Sequence, residues 1–129
     1  NEVTAEKRRI GLAYHNVLAN HPLIQMQPTE TSYSRNMYWV VGLILAEPLD
    51  ARHVAKLLRD RGVDTRPFFY PLHKQPMLSK YSLDTQPSLP VAERLGNQGL
   101  YLPSFVGITD DEVRFCAQQL IAVLHELQP

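Results

Sequence analysis

The sequence predicts an α/β domain of the two-layer α+β kind, with a small mixed or antiparallel sheet of about three strands packed under helices. Three observations predict it. Stretches with apolar residues at helical spacing alternate with short apolar runs rich in β-branched and aromatic types. Prolines and glycines punctuate the boundaries between them. The 129 residues suffice for one ordinary core and are too few for two, and 44% hydrophobic against 20% charged is a globular balance.

The elements follow in order. Ile10, Tyr14, Val17 and Leu18 share one helix face behind the charged run from Glu6 to Arg9. Pro22 closes this helix, because proline disfavours helical geometry in the residue before it. YWVVGLILA, Tyr38 to Ala46, is nearly all apolar and has strand length. Its lack of alternation implies a strand covered on both faces, ended by Pro48. Asp50 then reads as the N-cap of a helix with Val54, Leu57 and Leu58 as its stripe and Gly62 as its C-cap. Val63 to Arg66 reads as a short second strand stopped by Pro67. Six prolines between Pro67 and Pro103 imply irregular structure with short helical pieces, of which Leu89 to Gln98 is the best. Gly99 to Ser104 reads as a third short strand. Thr109 to Glu112, TDDE, is a capping box, and Asp110 and Asp111 complement the helix dipole. Val113, Cys116, Ala117, Leu120, Ile121, Leu124 and Leu127 make one apolar face behind it.

Charge and cysteine content narrow the function. Lys plus Arg equals Asp plus Glu at 13 each, so nothing electrostatic points to nucleic acid or an anionic membrane as partner. No apolar run approaches the roughly 20 residues that span a bilayer. One cysteine permits no internal disulfide and fits a reducing, cytoplasmic setting. The chain starts at Asn1, in or just before a helix, which reads as a piece of a longer chain.

Several chemistries find no support. No two of the five histidines stand three or four residues apart, and Cys116 lies on an apolar stripe, so no metal site is expected. GNQG, Gly96 to Gly99, lacks the rest of a phosphate-binding pattern. Ser104 has no glycine elbow. What stands out is RGVDTRPFFYPLHKQP, Arg61 to Pro76. Pro67 and Pro71 stiffen it. Phe68, Phe69 and Tyr70 add large rings with little rotamer freedom to lose. Arg66 offers a planar fork and His73 a group that donates, accepts or titrates. On these residues two readings stand level: the wall of a binding site, or aromatics packed in the core with Arg66 paired to Asp64 or Asp60.

Gly62, Val63, Asp64, Thr65 and Arg66, followed by Pro71, Leu72, His73, Lys74, Gln75 and Pro76, resemble the signature of the DegT/DnrJ/StrS sugar aminotransferases. Arg8 to Leu18 is similar to the helix that follows that family's large domain, and Ala92 to Val113 to its stretch ending in G-L-x-L-P-S and T-x-x-E. The resemblance implies that residues 1–129 are a single C-terminal small domain of a fold-type I aminotransferase. The parent would use pyridoxal phosphate to move an amino group, usually from glutamate, to a keto-sugar nucleotide, in a homodimer whose active site lies between large and small domains. The family's Schiff-base lysine belongs to the large domain, and none of Lys7, Lys56, Lys74 or Lys80 sits in its motif. The chain alone is therefore expected to hold no cofactor, to contribute no catalytic residue and to be inert. The resemblance makes His73 the first choice for ligand contact, on the substrate side or on the amino donor's carboxylate. Arg66 and Phe69 follow, then Asn36 and Tyr38. The alternative is a stand-alone, non-catalytic binding or oligomerisation module of the same fold.

Overall fold

Helix α1, Glu2–Leu18, opens the computed structural model, which describes residues 2–81 and 88–128, the side chains of 79–81 excepted. It buries Ile10, Gly11, Tyr14 and Leu18. Val17, expected on that face, lies at its margin and is 37% exposed. A tight turn then leads into β1, Ile24–Met26, which pairs antiparallel with β2, Val41–Leu45. Strand β1 was not foreseen. Three residues between Pro22 and Pro28 carry no periodicity, and pairing with β2 is what orders them. Strand β2 begins three residues later than expected, because Tyr38 stands at φ 52°, outside strand geometry. Its ring lies flat against Gly11 of α1, where any β-carbon would overlap it.

Helix α2, Ala51–Asp60, starts as predicted, with the Asp50 carboxylate accepting from the His53 backbone N–H at 2.9 Å. It ends at Arg61, and Gly62 follows at φ 82°, the left-handed turn that glycine tolerates best. Strand β3 is only Arg66–Pro67, against the predicted span of Val63 to Arg66. Val63 and Thr65 are buried but make no ladder. Two 3₁₀ turns follow, Leu72–Lys74 and Pro76–Tyr81. The second contains Lys80. Helix α3, Pro90–Gln98, has proline in its first turn, where a missing N–H costs nothing. It runs directly into β4, Gly99–Leu102. Helix α4, Asp110–Glu126, carries the full capping box: Thr109 Oγ1 accepts from Glu112 N at 3.2 Å, and Glu112 Oε2 accepts from Thr109 N at 2.8 Å.

The sheet is wholly antiparallel with four strands in the order β1-β2-β4-β3. Helices α1, α2 and α4 cover one face. Val41, Leu43, Leu45, Leu100 and Leu102 meet Ile10, Tyr14, Leu18, Val54, Leu58, Leu120 and Leu124 there. Each such side chain, fully buried, contributes roughly 1.5–3 kcal/mol. The Tyr14 hydroxyl crosses the core to donate to the Pro103 carbonyl at 2.9 Å, and burial raises its pKa far above the ordinary phenol range. Polar contacts tie α1 to the segment between β4 and α4. Lys7 reaches the Ser104 carbonyl, and Arg9 bonds Asp110 and, at 2.6 Å, the Ile108 carbonyl. Lys7 is thus half-buried.

The other face carries the alternate residues Gln25, Gly42, Ile44, Gly99 and Tyr101. It is covered only in part, by α3 and by the ring of Phe68.

Candidate functional site

The segment from Thr65 to Pro76 crosses this second face, and its aromatics divide. Phe68 turns inward. Its backbone N–H donates to the Gly99 carbonyl at 3.0 Å, and its ring covers the two glycines of the sheet, Gly42 and Gly99. Tyr101 lies 4.7 Å from it, ring centroid to centroid, at a 32° tilt. Phe69 and Tyr70 turn outward. Phe69 is 75% exposed and meets Tyr101 edge-on at 6.1 Å. Tyr70 lies under the Arg52 guanidinium at 6.0 Å, near the limit of a cation–π contact. A hollow of about 210 Å³ opens beside Phe68, walled by Met26, Gly42, Ile44 and Leu95.

Beyond the aromatics the segment docks on α3. Pro71 is buried against Gly96, where an added β-carbon would come within 2.7 Å of the proline Cδ. One helical turn away, Glu93 gathers the rest. Its Oε1 lies 3.1 Å from His73 Nε2 and accepts from Ser88 Oγ and the Leu89 N–H, both at 3.3 Å. Its Oε2 takes Lys74 Nζ at 2.7 Å. The Lys74 hydrogen bond first, then that of His73, pushes the Glu93 carboxyl down to about 2. The 3₁₀ turn closes on itself through Lys74 N to Pro71 O and Gln75 N to Leu72 O, both 3.0 Å.

The five residues singled out by sequence do not form one cluster; among the described residues the hydrogen bond between members of the set is that of Asn36 with Tyr38. His73 is docked on Glu93 with its side chain 10% exposed. It lies outside the core cluster, on the α3 side of the segment. Arg66 stands 79% exposed and pairs with Asp64 at 3.5 Å, as the second reading of that residue had it. Such an exposed pair contributes little to stability. Asn36 spends its amide on its own loop, donating to the Pro28 carbonyl at 3.1 Å and accepting from Tyr38 N at 2.8 Å. Tyr38 is 1% exposed, and its hydroxyl has no partner among the described residues. It braces α1 and does not line an open cleft. Its neighbours Met37 and Trp39 are the exposed ones, at 54% and 70%. Glu93, which holds the segment in place, had no role assigned from sequence, whereas Phe68 takes the packing role that one of the two readings gave the aromatics. The signal for Glu93 was its place in A-E-x-x-G, which puts Gly96 on the same helix face.

Other reactive groups are accounted for locally. The Cys116 thiol is buried on α4 and raised by that burial, which makes it a poor nucleophile. His21 and His125 meet edge to face at 5.9 Å. Among the described residues no group of three or more metal-ligating side chains is assembled, and no helix there is long and apolar enough to cross a membrane.

Against this geometry, residues 1–120 match the pattern of the DegT/DnrJ/EryC1/StrS aminotransferase family. The chain belongs to that family. It is 29% identical over 121 residues to a GDP-perosamine synthase of Escherichia coli O157:H7, covering 93% of this chain and 31% of that protein. It is 28% identical over 117 residues to a GDP-perosamine synthase of Vibrio cholerae, covering 88% and 30%. Its fold matches the crystal structure of DesI, solved in the presence of its TDP-sugar product, with a TM-score of 0.78 and 27% identity over 97% of this chain and 32% of that one. The chain thus spans about a third of the length of the curated relatives it matches.

Proposed function

We propose that this chain is the C-terminal, ligand-facing part of a pyridoxal-phosphate-dependent aminotransferase that transfers an amino group, from glutamate, to a keto-sugar nucleotide. The whole enzyme would work in the cytoplasm as a homodimer, with a large domain completing each site. The observation that carries this is the locked segment Thr65 to Pro76. Phe68, Pro71 and Glu93 fix its backbone while Arg66 and Phe69 stay exposed. A fixed loop presenting a ring and a cation is preorganised for a flat, anionic ligand, and preorganisation lowers the cost of binding. The family membership and the names of the relatives support the reaction class.

On this reading the cofactor is held by the large domain, and the lysines of this chain whose side chains are described have other surroundings. Lys7 is held by Ser104, Lys74 by Glu93, and Lys56 lies exposed on α2. The side chain of Lys80 lies outside the described residues. Pyridoxal phosphate, when bound to the whole enzyme, supplies the electron sink for amino transfer. What this chain supplies is orientation: His73 through its ring nitrogens, Arg66 through its fork, Phe69 through its face. Asn36 and Tyr38 would act indirectly, shaping the loop that presents Met37 and Trp39.

Two experiments test this. In the full-length enzyme, His73→Ala should impair amino-sugar formation far more than it lowers the melting temperature; equal loss of both returns His73 to a structural role. Adding pyridoxal phosphate to the 129-residue chain should give no lysine-dependent absorbance in the aldimine band. A yellow complex with turnover would sink the proposal that the chain is inert alone.

A further inference from the structure

The contact between His73 and Glu93 decides more than where the ring sits. An ionised carboxylate only accepts hydrogen bonds. Glu93 keeps its charge over the whole neutral range, because Lys74, His73 and the Leu89 N–H all stabilise it. The ring nitrogen at 3.1 Å from Oε1 is Nε2, so Nε2 must carry the proton. A neutral imidazole has one N–H and one lone pair, and the lone pair is then left on Nδ1. Nδ1 has no hydrogen-bond partner among the described residues. The same carboxylate is anchored independently by Lys74, Ser88 and the Leu89 N–H, so it does not swing to follow the ring.

We infer that Glu93 is a positioning residue acting through His73: it holds the imidazole as the Nε2–H tautomer and makes Nδ1 an acceptor, so that neutral His73 takes a hydroxyl or amide N–H of its ligand and not a carboxylate or phosphate. This rests on the proposal above that His73 faces ligand. It differs from the expectation that His73 would hold the amino donor's carboxylate, since an unprotonated Nδ1 has nothing to donate. Sugar hydroxyls are the matching partners in a keto-sugar nucleotide.

The tautomer is tested on the 129-residue chain by two-bond ¹H–¹⁵N correlation of the His73 ring at about pH 8, well above the usual imidazole range. The wild type should show a pyrrole-like Nε2, a pyridine-like Nδ1, and an Nε2–H signal that survives solvent exchange. Glu93→Ala should lose that signal. Lys74→Met should keep it, because the second oxygen is not the one facing His73. Lys74→Met/Glu93→Gln should also keep it, because an amide oxygen, no longer wanted by the lysine, still accepts from Nε2. A pyrrole-like Nδ1 in the wild type, an unchanged signal in Glu93→Ala, or loss in the Lys74→Met/Glu93→Gln variant would each overturn the inference. The acceptor role is tested in the full-length enzyme. At about pH 8, Glu93→Ala should weaken binding of the sugar nucleotide and Lys74→Met should leave it unchanged. Unchanged affinity in Glu93→Ala, with the tautomer lost, would remove the acceptor role. These results are separable from the functional proposal. A locked tautomer together with a harmless His73→Ala leaves the positioning intact and removes the ligand role.

Discussion

Replacing Gly99 by alanine tests whether Phe68 pins the central segment to the sheet. Gly99 ends α3 and begins β4 in ordinary extended geometry, so alanine meets no backbone objection there. Its β-carbon, however, would lie well inside contact distance of Phe68 Cγ and Cδ2 and of the Leu95 carbonyl oxygen. The Leu95 oxygen is helix backbone and cannot swing away. Overpacking of this kind costs about 1–3 kcal/mol. A rigid neighbour puts the cost at the upper end, while losing a strand glycine returns roughly 0.5–1 kcal/mol. The net is about 2 kcal/mol. For a chain of this size that lowers Tm by roughly 6–10 °C, measured by circular dichroism. Gly42→Ala provides the contrast. Its β-carbon would meet only the tip of the same ring, Cζ at 2.9 Å and Cε1 at 3.2 Å, so a small tilt relieves it at under about 1 kcal/mol. In a Phe68→Ala background the cost of Gly99→Ala should drop by about 1 kcal/mol. A Tm within about 2 °C of wild type for Gly99→Ala, or strict additivity with Phe68→Ala, would refute the picture of a ring seated on glycine.

Further predictions concern the caps and the acid side. Thr109→Ala removes the side-chain half of the α4 capping box, leaving the backbone N–H of residue 109 on Glu112, and should cost about 1 kcal/mol, seen as a Tm lower by roughly 3–5 °C. Gly62→Ala forces a side chain to φ 82° with nothing nearby to clash, and should cost about 1–2 kcal/mol from backbone strain alone. Glu93 has its carboxyl pushed from the ordinary 4.5 down to about 2, so its contribution is full above the ordinary value and is lost as pH falls through about 2. Denaturant midpoints of wild type and Glu93→Gln should therefore differ at about pH 5 and converge toward about pH 2. A constant gap across that interval would remove Glu93 from the account.

What the sequence made legible was what is local. The starts of α2 and α4 were found because Asp50 and Thr109 bond within their own first turns. The apolar stripe of α4 was found because 3.6-residue spacing survives without any knowledge of neighbours. The family signature was also legible, since it is a string. What was not legible depends on distant partners. Strand β1 exists because of Leu43, Ile44 and Leu45. The late start of β2 comes from Tyr38 packing on Gly11, 27 residues earlier. The two readings of the central segment were both partly right: Phe68 is a packing residue and Arg66 pairs with Asp64, while Phe69 stays open. That division follows from the direction in which the chain leaves β3, which composition cannot show. The partner of His73 lies 20 positions away on α3, so its tautomer could not be read from the signature.

The margins of the sheet carry one more consequence. Strand β1 is three residues long and flanked by Pro22 and Pro28, and strand β3 is two residues long and finishes on Pro67. Prolines lack the N–H that a neighbouring chain would need, and such short borders offer almost no ladder to copy. Lateral growth of this sheet into another molecule is therefore disfavoured on both sides. Docking through helices, loops and side chains is favoured over pairing at the described strand edges, which leaves assembly to shape more than to backbone zippering.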